Sequence, residues 1–165
     1  LIQRALLQKD TPVLIDMDKI YRYKLGDDTQ NITDLIKEDS TAVSLWYSNL
    51  FYTQSSLVLN YEDNHINGYT FCLMTSNNNY HGKIDYPSNN LEIVEKGKAI
   101  SVMTIYKNEV SFKLLESLIN TSLVKYPEYC IKSEPFTRLV TSFSDELCEK
   151  VNVIELVIPV KKRWK

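Results

Sequence analysis

Apolar positions along this 165-residue chain recur with two periods, and the switches between them mark out its elements. Residues 1–9 are good helix formers that stop before Thr11-Pro12, where proline disfavours helix. Residues 13–24 read as extended chain, with Ile20, Tyr21 and Tyr23 as β-formers, followed by a turn at Gly26-Asp27-Asp28 and a short helix over 31–37. Over residues 40–58, Val43, Trp46, Tyr47, Leu50, Phe51, Gln54, Leu57 and Val58 recur at helical spacing. With Ser40 or Thr41 as cap, this stretch predicts an amphipathic helix. A loop at 64–68, a strand at 69–74, a polar turn at 76–79, a strand at 83–86 and a break at Pro87-Ser88-Asn89-Asn90 complete the first half.

The second half repeats that order. Residues 91–94 and 99–106 read as strands around a turn at Glu95-Lys96-Gly97-Lys98. Asn108 is the expected cap of a helix running to Lys125, with Leu114, Leu115, Leu118, Ile119 and Leu123 as its apolar stripe and Pro127 ending it. A strand over 134–140, a polar connection over 141–150 and a closing strand over 151–160 follow. The expected fold is α+β. It has two pseudo-symmetric strand-helix-strand-strand halves, residues 11–88 and 91–160, an antiparallel sheet, and a ligand groove between the halves.

The closing strand carries the most informative residue. Its run from Val151 to Val160 is apolar at eight of ten positions, with Glu155 in the middle. Side chains alternate across a strand, so Glu155 shares a face with Val153 and Val157, while Ile154, Leu156 and Ile158 take the other. Both faces read as buried, and an unpaired carboxylate there costs several kcal/mol. Two readings stay open: Glu155 pairs with an internal Lys or Arg or reaches water at the strand's end, or it lines a cavity that takes a cationic or donor-rich ligand.

Composition narrows the remaining classes. A hydrophobic fraction of 44% and an aromatic fraction of 11% belong to an ordered globule. Eleven Tyr against five Phe favour surfaces that are apolar with a polar tip, as in pockets or half-buried strands. A net charge of −2 gives the chain no general attraction to nucleic acid, and the basic residues 161–165 read as a solvated tail. Cys72, Cys130 and Cys148 are odd in number and far apart, which speaks for reduced thiols in a cytoplasmic protein and against disulfides or zinc. With only His65 and His81, neither a metal nor another cofactor is expected. No long apolar run suggests a membrane span.

The glycine turn in Leu91-Glu92-Ile93-Val94-Glu95-Lys96-Gly97-Lys98-Ala99, the Leu-rich helix, the strand led by an aromatic, and Val153-Ile154-Glu155-Leu156-Val157-Ile158-Pro159-Val160 together resemble the GyrI-like effector-binding domain. Within it, the likeness is to the C-terminal drug-binding domains of MerR-family multidrug-responsive regulators, and it covers residues 11–160. That resemblance implies a sensor of lipophilic, cationic drugs that does not act as an enzyme. Residues 1–10 would then end an upstream dimerisation helix, and an N-terminal winged-helix domain of a homodimeric regulator would make the DNA contact. Glu155 matches the family's pocket acid, Tyr47 and Phe136 match pocket aromatic positions, and Tyr80 falls at another. Phe51, Tyr69 and Phe71 join them on the expectation that helix and strand aim them at the same groove. Two rivals follow from the same resemblance: a small hydrolase using the pocket Glu, and a gyrase-inhibitor-like interaction module.

Overall fold

A computed structural model describes residues 7–26, 55–76, 91–108 and 111–164. Among the described residues nine strands form one antiparallel sheet: β1 (Val13–Met17), β2 (Ile20–Gly26), β3 (Ser55–Glu62), β4 (His65–Ser76), β5 (Leu91–Val94), β6 (Gly97–Lys107), β7 (Tyr129–Ile131), β8 (Phe136–Ser144) and β9 (Lys150–Lys162). One described helix, α1 (Phe112–Lys125), lies between β6 and β7 in the chain. The spatial order is β1-β6-β9-β8-β3-β4-β2-β5, with β7 beside β9. That order is symmetric about the β8–β3 contact: β9 answers β4, β6 answers β2, and β1 answers β5. The two end strands are exchanged, since β1 pairs with β6 of the second half and β5 with β2 of the first.

β9 is the strand most deeply enclosed. Residues Val151 to Val160 are all buried, because β6 and β8 flank the strand and both of its faces are covered. Ile154, Leu156 and Ile158 join Ile100, Val102 and Leu59 in a core that receives Leu115, Leu118 and Ile119 from α1. Side-chain burial of this kind contributes about 1.5–3 kcal/mol per large aliphatic residue, far more than helix propensity supplies. The predicted stripe is therefore the packed face of the helix. Its start differs from expectation: Ser111 caps it, accepting from the Leu114 amide at 3.3 Å, whereas Asn108 has φ 60° and its amide donates to Lys150. Tyr126 closes the last turn through its amide on the Ser122 carbonyl, immediately before Pro127.

Several boundaries move. The helix expected over 40–58 does not reach its predicted end, because residues 55–62 form β3. Val58 and Leu59 are adjacent and both buried, so the strand presents apolar residues on both faces and mimics a helical stripe. The remainder of that helix, the short helix over 31–37 and the strand over 83–86 lie outside the described residues. The loop expected over 64–68 shrinks to a two-residue turn, with Asp63 and Asn64 at φ 51° and 66°. A two-residue hairpin turn of type I′ needs positive φ at both central residues, and Asp and Asn tolerate it.

The polar connection over 141–150 is also largely strand. β8 runs to Ser144 across a register shift at Leu139/Thr141, and Asp145 then organises the turn by accepting from the Leu147 and Glu149 amides, both at 2.9 Å. Lys161 and Lys162, expected in a free tail, end β9 and pair with Cys130 and Tyr129 of β7. No described helix is long and apolar enough to cross a membrane.

Candidate ligand-binding site

Strand parity divides the sheet into two faces. α1 covers the face of Leu156 and Ile158. The other face bears Glu155, and the cross-strand register places Met103 of β6 and Arg138 of β8 on either side of it. One residue pair along, Ser101, Val157, Phe136 and Val58 form a row on that same face. The sheet thus assembles an acid, a hydroxyl, an arginine, an aromatic ring and a methionine side by side.

Glu155 is paired. Arg138 donates to Glu155 Oε1 through Nε at 2.5 Å and also approaches it with a terminal nitrogen at 2.5 Å, while Ser101 Oγ donates to Oε2 at 2.5 Å. The two partners differ in exposure: the Glu155 side chain is 3% exposed, the Arg138 side chain 47%. Of the two readings left open by the sequence, an ion pair with arginine is the one observed, although its cationic end is half in water. Such charge-assisted contacts are short, and burial of only one partner makes the energetics lopsided.

A second arginine was not anticipated. Arg22 on β2 is fully buried, donates to the Glu134 carbonyl at 2.8 Å and to Glu92 Oε1 at 2.6 Å, and lies 5.7 Å from the centre of the Phe136 ring. Its Nε and the hydroxyl of Ser56 are buried without a hydrogen-bond partner among the described residues. Lys24, two residues along the same strand, approaches Glu134 at 3.4 Å and Glu92 at 3.8 Å. Each of these cations therefore has a carboxylate within ion-pair range, and this cluster is charge-balanced. Cys72, opposite Lys24 in the register, has its thiol pushed up to about 12 by burial, so it is no nucleophile at neutral pH.

Phe136 is buried on the Glu155 face, in the apolar cluster that includes Val157 and Val58. Tyr69 and Phe71 are not brought to it. Their register partners, Leu59 and Leu57, belong to the α1 side of the sheet. Tyr69 stacks on Phe112 of α1 at 5.1 Å and meets Phe71 edge-on at 5.5 Å, so the two rings support the helix rather than the carboxylate. The expectation that they share a groove with Glu155 fails on a single step of strand parity. Tyr47, Phe51 and Tyr80 lie outside the described residues. Phe136 was singled out by the resemblance alone, and Arg138, two residues further along the same strand, shares its face. What the sequence did not reveal is the register that sets it against Glu155. Among the described residues no cluster of His, Cys, Asp and Glu could hold a metal ion.

No protein-family model matches the sequence, and no curated protein matches it. Solved structures do match. The crystal structure of the EcmrR C-terminal domain superposes with a TM-score of 0.50 at 14% identity, over 92% of this chain and 97% of that one. The EcmrR–DNA complex seen by cryo-electron microscopy gives 0.50 at 15% identity over 92% of this chain, which spans 57% of that subunit. Looser superpositions, at TM-scores of 0.44 and 0.41, are found with a hydrolase from Listeria innocua (7% identity, 97% and 96% of the two chains) and with SAV2435 bound to tetraphenylphosphonium (12%, 91% and 93%). At the level of fold, this chain has the open antiparallel α+β architecture of the EcmrR C-terminal domain.

Proposed function

We propose that the chain is the effector-binding domain of a bacterial MerR-type transcription regulator, and that it senses a lipophilic organic cation at the sheet face carrying Glu155. The observation that carries this reading is a carboxylate 3% exposed within a β-strand apolar on both sides, paired to an arginine that reaches water. A fold that needed only stability gains little from such a pair, because apolar residues of similar volume serve as well. Burying about 300 Å² of a flat ligand would supply roughly 7 kcal/mol before association costs of several kcal/mol, which by itself gives weak and permissive binding. Charge complementarity at Glu155 would then raise the preference for cations over neutral molecules of the same shape.

On this reading the chain binds its ligand without turning it over. Contact with DNA would belong to a separate winged-helix domain, and the regulator would act as a homodimer in the cytoplasm. Ligand binding would bias one arrangement of that dimer by a coupling of about 1–3 kcal/mol.

A thermal-shift series with tetraphenylphosphonium and other lipophilic cations tests the reading. A ligand that binds only the folded state at about 100 times its Kd adds about 2.7 kcal/mol, which in a chain of this size raises the midpoint by about 5–10 °C. Failure of every lipophilic cation to shift the midpoint would refute it.

A further inference from the structure

We infer that the groove between the outer face of α1, the β3–β4 turn and the end of β9 binds an anionic amphiphile, a single negative head group on an aliphatic chain. Asn64, Asn120, Leu123, Val124 and Arg163 line it, and its volume of about 420 Å3 falls within the range of small-molecule sites. α1 and Glu155 lie on opposite faces of the sheet, so this site is separate from the one proposed above and does not depend on it.

The two walls of the groove differ in chemistry. Residues three and four apart share a helix face, so Asn120, Leu123 and Val124 form one outward strip of α1. Leu115, Leu118 and Ile119 pack the helix onto the sheet, whereas Val124 is 79% exposed and stands outside that core. At the polar wall the Asn120 side-chain amide donates to the Asn64 carbonyl at 3.2 Å, and the Tyr61 hydroxyl donates to Asn120 Oδ1. These bonds tie the turn to the helix and fix that wall before any ligand arrives.

Arg163 supplies the charge. Its backbone amide donates to the Glu128 carbonyl at 3.0 Å and its Nε to the Pro127 carbonyl at 2.9 Å, which anchors the guanidinium beyond the C-terminal end of α1. A helix C-terminus attracts a cation, and that accounts for the Nε bond. It leaves the two terminal nitrogens without an acceptor among the described residues, unlike Arg22 and Arg138, which each hold a carboxylate. Free terminal N–H groups of a guanidinium grip a carboxylate through parallel bonds. A chain attached to that carboxylate would lie over Leu123 and Val124 and take their surface out of water. The ligand class follows from these parts. A lipophilic cation is repelled, a neutral alcohol leaves the guanidinium unused, and a small anion gains no apolar contact.

NMR amide shifts of the whole chain, followed during titration with octanoate, 1-octanol and acetate, test the inference. The groove is open along one side, so a low-millimolar Kd is expected for octanoate, with saturable shifts at its five lining residues. Octanol is expected to bind about fivefold more weakly and acetate not measurably. Arg163→Gln is expected to weaken octanoate by about fivefold while octanol changes by less than about twofold; Val124→Asn is expected to weaken both by about threefold. Octanoate bound no more tightly than octanol, or unchanged by Arg163→Gln, overturns the assignment of an anionic head group. Shifts confined to other residues, or an octanoate affinity that Val124→Asn leaves intact, overturn the site. Arg163-dependent pelleting with phosphatidylglycerol vesicles also overturns the inference, because the occupant would then be a membrane surface and not a free amphiphile. Val124 makes no core contact, so its variant keeps the test decisive even if Arg163→Gln fails to fold.

Discussion

Replacing Arg138 with Met is expected to destabilise the fold by about 2–4 kcal/mol, whereas Glu155→Gln is expected to cost about 1 kcal/mol or less. The two substitutions break the same ion pair, so equal costs would follow if the pair simply contributed its own strength. They leave different charges behind. Without Arg138, a carboxylate that is 3% exposed loses that cation inside a strand enclosed by β6 and β8. Without the Glu155 charge, an arginine already 47% exposed turns outward and is hydrated. Methionine retains most of the apolar stem, so lost packing is a minor part of the difference. Urea denaturation of both variants reads the asymmetry directly, provided the slopes agree with the wild type. A larger loss in Glu155→Gln than in Arg138→Met would mean that the buried charge is not the costly partner.

Arg22→Met is the other substitution with a large expected effect, a loss of about 2–3 kcal/mol. Arg22 is fully buried and ties β2 to two other pieces of chain: Glu92 of β5, and the start of β8 through the Glu134 carbonyl and the ring of Phe136. Truncation strands a carbonyl without its donor, at about 1–3 kcal/mol, and leaves Glu92 without its principal cation. Two effects reduce the total. The Glu92 side chain is 35% exposed and can take up water, and the variant removes the unpartnered Nε, whose burial the native fold tolerates at a cost. Adding Glu92→Leu to Arg22→Met should therefore recover part of the loss. Equilibrium urea melts of the single and double variants check this; a single variant within about 0.5 kcal/mol of the wild type would show that Arg22 is not a strut.

The sequence made some of this architecture legible and hid the rest for identifiable reasons. Residues 151–160 were readable as a fully buried strand because apolar side chains occupy both parities, and α1 was readable because its stripe of leucines has no competing period. Glu155 stood out as an acid in apolar surroundings, and buried it is. The same continuous apolarity concealed β3, where Leu57 and Val58 fit the end of a helical stripe as well as a two-faced strand. Tyr69 and Phe71 were assigned to the wrong side because parity depends on register, and register is a property of the neighbouring strand. Arg22, Arg138 and Ser101 belong to three different strands, β2, β8 and β6, and only the pairing of β6, β9 and β8 brings Ser101 and Arg138 onto one carboxylate. No local spacing contains that information.

Calorimetric titration of tetraphenylphosphonium and of triphenylphosphine oxide into the wild type and Glu155→Gln bears most directly on the proposal that a sheet-borne acid gives the site its preference for cations. A loss of about fivefold or more in affinity for the phosphonium, with the neutral oxide changed by less than about twofold, is the predicted result. Equal losses for both compounds, or none for either, would contradict it.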